Sequence, residues 1–153
     1  MLIAAIIAGL LVLLIVVGFA IVHLGRPTHP AAIAKARASF AAERSRLEQE
    51  FFEAASASGK PRGLTWKSCD FGQDLVLALD KRRYELVGLV TVTIAFEAIP
   101  GSDMEGLPAV SNLRSASAVF SWRRGKWSTA GRTVFNLSPL EALRHFGANY
   151  EQV

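Results

Sequence analysis

Any chemistry this chain performs must come from its cysteine, its three histidines or its carboxylates. Cys69 stands beside Asp70, and a cysteine becomes a nucleophile only with a base within hydrogen-bond reach. His145 is the histidine of the folded portion, so Cys69–His145 is the one nucleophile–base pair on offer. A strand cysteine otherwise packs as a small hydrophobe, which is the expectation here. Zinc needs clustered Cys and His, and His23, His29 and His145 do not have that spacing. No Walker loop, Rossmann glycine pattern, G-x-S-x-G elbow or H-E-x-x-H motif occurs. The sequence therefore assigns no catalytic, cofactor-binding or metal-binding residue, and leaves enzymatic activity an open question that leans to no.

Two other groups of residues invite contact rather than catalysis. The connection from Ile99 to Ser115 carries Asp103 and Glu105 between Gly101, Gly106 and Pro108. Loops of this length are usually functional or disordered, so Asp103 and Glu105 are candidates for a functional loop, as a carboxylate pair or cation ligand. The default is a solvated excursion that meets a partner. Lys81-Arg82-Arg83 and Arg123-Arg124-Gly125-Lys126 are two basic turns. Should they share one end of a sheet, they suit lipid phosphates or an acidic partner. The net charge of +4 is too small to argue for nucleic acid, and the strands lack the stacked aromatics of a ribonucleoprotein sheet. Trp66, Trp122 and Trp127 read as core or sheet-face residues.

The elements that position these groups begin with an apolar run. Leu2 to Leu24 contains no Lys, Arg, Asp or Glu, and sixteen of its residues are Leu, Ile, Val or Phe. As a helix it would span roughly 33 Å, slightly more than a ~30 Å hydrocarbon core. Its insertion would be favourable by about 5–10 kcal/mol at most. The expectation is a transmembrane anchor over 1–24, a retained signal anchor rather than a cleaved signal peptide. A Pro-rich linker follows over 25–30, then a single α+β domain over 31–153. Arg26, Lys35, Arg37 and Arg44 all follow the run, which predicts a single-pass protein with its domain on the cytoplasmic side.

Within the domain, Ile33, Phe40, Leu47 and Ala54 recur every seven residues, with Phe51 on the neighbouring row. That pattern predicts a long helix over 31–58, ended by Gly59 and Pro61. Alternating apolar residues predict a four- to five-stranded antiparallel meander over 64–136, covered on one face by that helix. The strands are read at Leu64–Cys69, at Leu75, Leu77 and Leu79, from Val90 to Ala98, from Ala116 to Trp122, and from Trp127 to Asn136. Ser138-Pro139-Leu140-Glu141 is a capping box that opens a short helix over 139–147. The lone Cys69 excludes an intramolecular disulfide.

One helix followed by a meander resembles the cystatin-like and nuclear-transport-factor-2-like layouts, the latter often a cone with a pocket, which Phe96, Phe120 and Trp122 would either line or, as expected here, fill. Phe96-Glu97-Ala98-Ile99 and Val134-Phe135-Asn136-Leu137-Ser138-Pro139 also resemble small membrane-anchored bacterial proteins of unknown function, which imply no activity. The order of apolar stem, helix and sheet resembles a type IV pilin in layout. The functional expectation is a membrane-anchored protein whose domain is a protein-interaction or scaffold module. It would contact the lipid bilayer through residues 2–24, and a protein partner or a second copy through the domain. A small-ligand or enzymatic pocket and a pilin-like assembly subunit are the alternatives.

Overall fold

The computed structural model describes residues 9–18, 28–58 and 62–153. Residues 9–18 are helical. Helix α1 runs over Pro30–Ser58, helix α2 over Pro139–His145, and a 3-10 turn over Pro108–Ser111. Six antiparallel strands form one sheet: β1 Leu64–Asp80, β2 Glu85–Ala98, β3 Arg114–Arg123, β4 Lys126–Ser128, β5 Thr133–Phe135 and β6 Tyr150–Gln152. Their order is β4-β3-β2-β1-β6, with β5 also pairing β3. The protein is thus α+β, with a long helix, an antiparallel sheet and a short C-terminal helix.

Helix α1 lies across one face of the sheet and contacts β1 and β4. Its buried residues are Ala36, Phe40, Leu47, Phe51 and Ala55. A strict seven-residue stripe would have ended on Ala54. A straight helix turns every 3.6 residues, so the contact row drifts to Ala55 instead. The stripe does not outrun the sheet, because β1 and β2 are 17 and 14 residues long. The aromatic seam beneath α1 is edge-to-face. Phe40 meets Phe120 at 5.2 Å and Trp127 at 5.1 Å, while Phe51 meets Phe71 at 5.6 Å. Such pairs add about 0.5–1.5 kcal/mol beyond the burial itself. The Trp127 indole N–H donates to Ala36 O at 2.9 Å, which satisfies the one polar atom of that buried side chain.

The sheet departs from the sequence expectation in four places. The two strands read at 64–69 and 75–79 are one, β1. Its pairing with β2 slips between Trp66 and Ser68 and again between Phe71 and Leu75. Gly72-Gln73-Asp74 looks like a break in the sequence but is a bulge, held from above by α1. Arg44 donates to Gly72 O and to Gln73 O, and Arg37 donates to Leu75 O. The strand read over Trp127–Asn136 is two short ones, β4 and β5, both on β3. A sixth strand, β6, pairs Ala78–Asp80 beyond the expected C-terminal limit of the sheet. Finally, the second sheet face is not bare. Ala142 and Leu143 of α2 pack on Ala78, Val87 and Leu89. Both helices of the domain fall close to their predicted spans. Ser138 caps α2 as its spacing predicts, its backbone N–H donating to the Glu141 carboxylate at 2.9 Å.

Gly131 breaks the β4–β5 edge. It sits at φ +69°, and a Cβ there would lie 2.6 Å from Ala54 C and from Ala55 Cα in the α1 backbone. Gly125 has a similar φ of +79° but open space around it. Gly131→Ala therefore combines left-handed strain with a clash that no side chain can relieve. It should lower unfolding stability by about 2–4 kcal/mol. Gly125→Ala should lose only about 1–2 kcal/mol. Chemical denaturation of the two variants checks this, and equal losses would contradict the close approach of Gly131 to α1.

Candidate functional site: the basic end of the sheet

Antiparallel pairing decides where the basic turns lie. Leu86 of β2 stands opposite Trp122 of β3, so the β1–β2 turn and the β3–β4 turn emerge at the same end. Lys81, Arg82, Arg83, Arg123, Arg124 and Lys126 are all exposed there. Arg124 and Gly125 both have positive φ, 50° and 79°, as a two-residue hairpin of this twist requires. Between the turns lies an open depression of about 740 Å³, walled by Ala32, Arg83, Tyr84, Glu85, Trp122 and Arg124 among others. Ala32 belongs to the first turn of α1, so the chain enters the domain at this end.

The local acids are already engaged. Asp80, 8% exposed, accepts the backbone N–H groups of Arg82 and Arg83 at 2.9 and 3.1 Å. Glu85 pairs with Arg123 at 2.8 Å. Lys81 donates to Gly147 O at 3.1 Å, bracing the turn after α2. Among the described residues the side chains of Arg82, Arg83 and Arg124 have no hydrogen-bond or ion-pair partner. Tyr84, which was not singled out from the sequence, stands 58% exposed among them. Its signal was an aromatic residue inside a basic turn.

The other candidates scatter. Cys69 faces α1, packed against the core formed beneath that helix, whereas His145 ends α2 on the opposite sheet face. They are not a pair. Burial pushes the Cys69 thiol up to about 12, with the neighbouring Asp70 carboxylate adding to the shift. Asp103 and Glu105 are exposed at the other end of the sheet, and Glu105 accepts the Gly101 N–H at 2.7 Å, closing its own loop. Among the described residues no three His, Cys, Asp or Glu side chains gather as a metal site. Phe96, Phe120 and Trp122 are buried on the α1 face. Searches against protein-family models, curated proteins and solved structures find no match to the chain.

The thiol has a direct readout. At pH 8 a group with so high a pKa holds roughly a thousandfold less thiolate than an ordinary cysteine. Iodoacetamide should therefore modify the folded chain orders of magnitude more slowly than the urea-unfolded chain. Similar rates in the two states would show Cys69 to be a reactive thiol.

Proposed function

We propose that the chain is a single-pass, bilayer-tethered protein whose α+β domain is a protein-contact module at the cytoplasmic face, with no reaction of its own. The supporting observation is the helical stretch 9–18. Leu10 to Val17 are all large apolar residues, and each is 45–69% exposed. A helix apolar on every side suits a lipid surround or a protein core, and no part of the domain covers it. Among the described residues no helix is long and apolar enough to cross a membrane, since 9–18 reaches only about 15 Å. The spanning length in this reading comes from the whole run 2–24, whose remainder lies outside the described residues.

A contact role is supported by the end of the domain remote from the basic turns. Ile99, Leu107, Leu113 and Phe135 are 42–64% exposed there. Leu64, Phe96 and Phe135 border a shallow depression of about 250 Å³. This placement suits a partner chain or a second copy approaching from the side away from the tether.

Alkaline carbonate washing of membranes containing the full chain tests the tether. The protein should stay in the pellet. Leu13→Arg with Leu14→Arg should release it, each Arg opposing insertion by about 2.5–3.5 kcal/mol at a helix centre. Wild-type protein in the carbonate supernatant would overturn the tether. For the contact role, the detergent-extracted full chain should run as a complex, and Leu113→Glu, at an exposed position, should disperse it. A monomeric extract without a partner contradicts that role.

A further inference from the structure

The basic end of the sheet does more than keep the protein soluble. We infer that it is a docking surface for the anionic headgroups of the bilayer to which the chain is tethered. Arg82, Arg83 and Arg124 would contact lipid phosphates, and Tyr84 would sit at headgroup level. The inference rests on the tethered reading above and adds an orientation to it.

Four features of the molecule converge on this surface. The pairing of β2 with β3 gathers both basic turns at one end, and α1 begins at that same end. The apolar run ends at Leu24 and α1 begins at Pro30. The five residues between them reach at most about 18 Å even when fully extended. The basic end is therefore held close to whatever surface receives the apolar run.

The charge is also available. Asp80 and Glu85, the acids of these turns, are taken by the Arg82 and Arg83 amides and by Arg123. Three guanidinium groups are left without partners among the described residues. Arginine suits phosphate because its planar fork offers two parallel N–H donors. An exposed tyrosine with an apolar body and a polar tip favours the membrane–water boundary.

The opposite end is mixed in charge. It exposes Glu97, Asp103 and Glu105 together with Arg62 and Arg114, beside Leu107 and Leu113. Anionic lipid would attract the uniformly basic first end more strongly than this mixed one, so the field favours one orientation. A soluble acidic protein would also meet the arginines, but it would compete with a charged leaflet that the tether keeps at hand. Lipid is the occupant the geometry favours.

The test uses the full chain in lipid nanodiscs. Discs of phosphatidylcholine alone are compared with discs that also contain phosphatidylglycerol, both carrying a trace of nickel-chelating lipid. A nitroxide is placed at Tyr84→Cys or at Asp103→Cys, each in a Cys69→Ala background. Nickel at the headgroups should enhance relaxation of the label at 84 several-fold more than that at 103 in anionic discs. In neutral discs the contrast should shrink. Arg82→Gln, Arg83→Gln and Arg124→Asn together should reduce it to the neutral-disc level, with the melting temperature unchanged because those side chains hold nothing in the fold. Molar salt, which cuts the screening length from about 8 Å to about 3 Å, should do the same with the unmodified surface. Equal enhancement at 84 and 103, or a contrast indifferent to lipid charge, overturns the headgroup surface while leaving the tether standing. Failure of the full chain to remain in discs of either composition overturns the tether and the surface together.

Discussion

The seating of α1 on the sheet is the constraint from which the rest follows. Phe40 and Phe51 lodge edge-on against Phe120, Trp127 and Phe71, and the Trp127 indole donates into the helix at Ala36 O. Arg44 reaches across to the bulge in β1, where it donates to Gly72 O and Gln73 O, and Arg37 donates to Leu75 O at the bulge's edge. Together these interactions fix both the direction of α1 and its position on the sheet. Its first turn must then lie beside the two basic turns, and its last turn beside Gly131.

A molecule built this way has two unlike ends. One receives the chain from the apolar stretch and carries arginines whose nearby acids are already engaged. The other mixes carboxylates with Arg62 and Arg114, and carries exposed apolar side chains and the loop closed by Glu105 on Gly101. Among the described residues every buried side-chain nitrogen and oxygen has a partner. The only cysteine is held as a neutral thiol by its surroundings.

Much of this was legible in the residues, and the exceptions have physical causes. The apolar repeat along 33–55 marked α1, and the capping box at Ser138 and Glu141 marked the start of α2, because both are local patterns. The division of β1 was misread because Gly72-Gln73-Asp74 looks like a turn when its carbonyls have no visible donor. The donors, Arg37 and Arg44, lie some thirty residues upstream and look like membrane-flank charges. The second covered face was in fact written in Leu86–Val90, an unbroken apolar run of the kind a doubly covered strand needs. The split of β4 from β5 was hidden because a glycine in a strand does not reveal which backbone approaches it. As for the site, sequence named both basic turns, but only the register of β2 with β3 joins them and adds Tyr84.

The account places the apolar run in lipid, the basic turns at the headgroups and the loop over 101–113 away from the membrane. Amide hydrogen exchange of the full chain in anionic nanodiscs, compared with the same chain in neutral detergent, reads all three at once. It should show residues 10–17 almost unexchanged in the discs, added protection at 81–84 and 123–126, and no change at 101–113. Rapid exchange of residues 10–17 in the discs would contradict the account at its root.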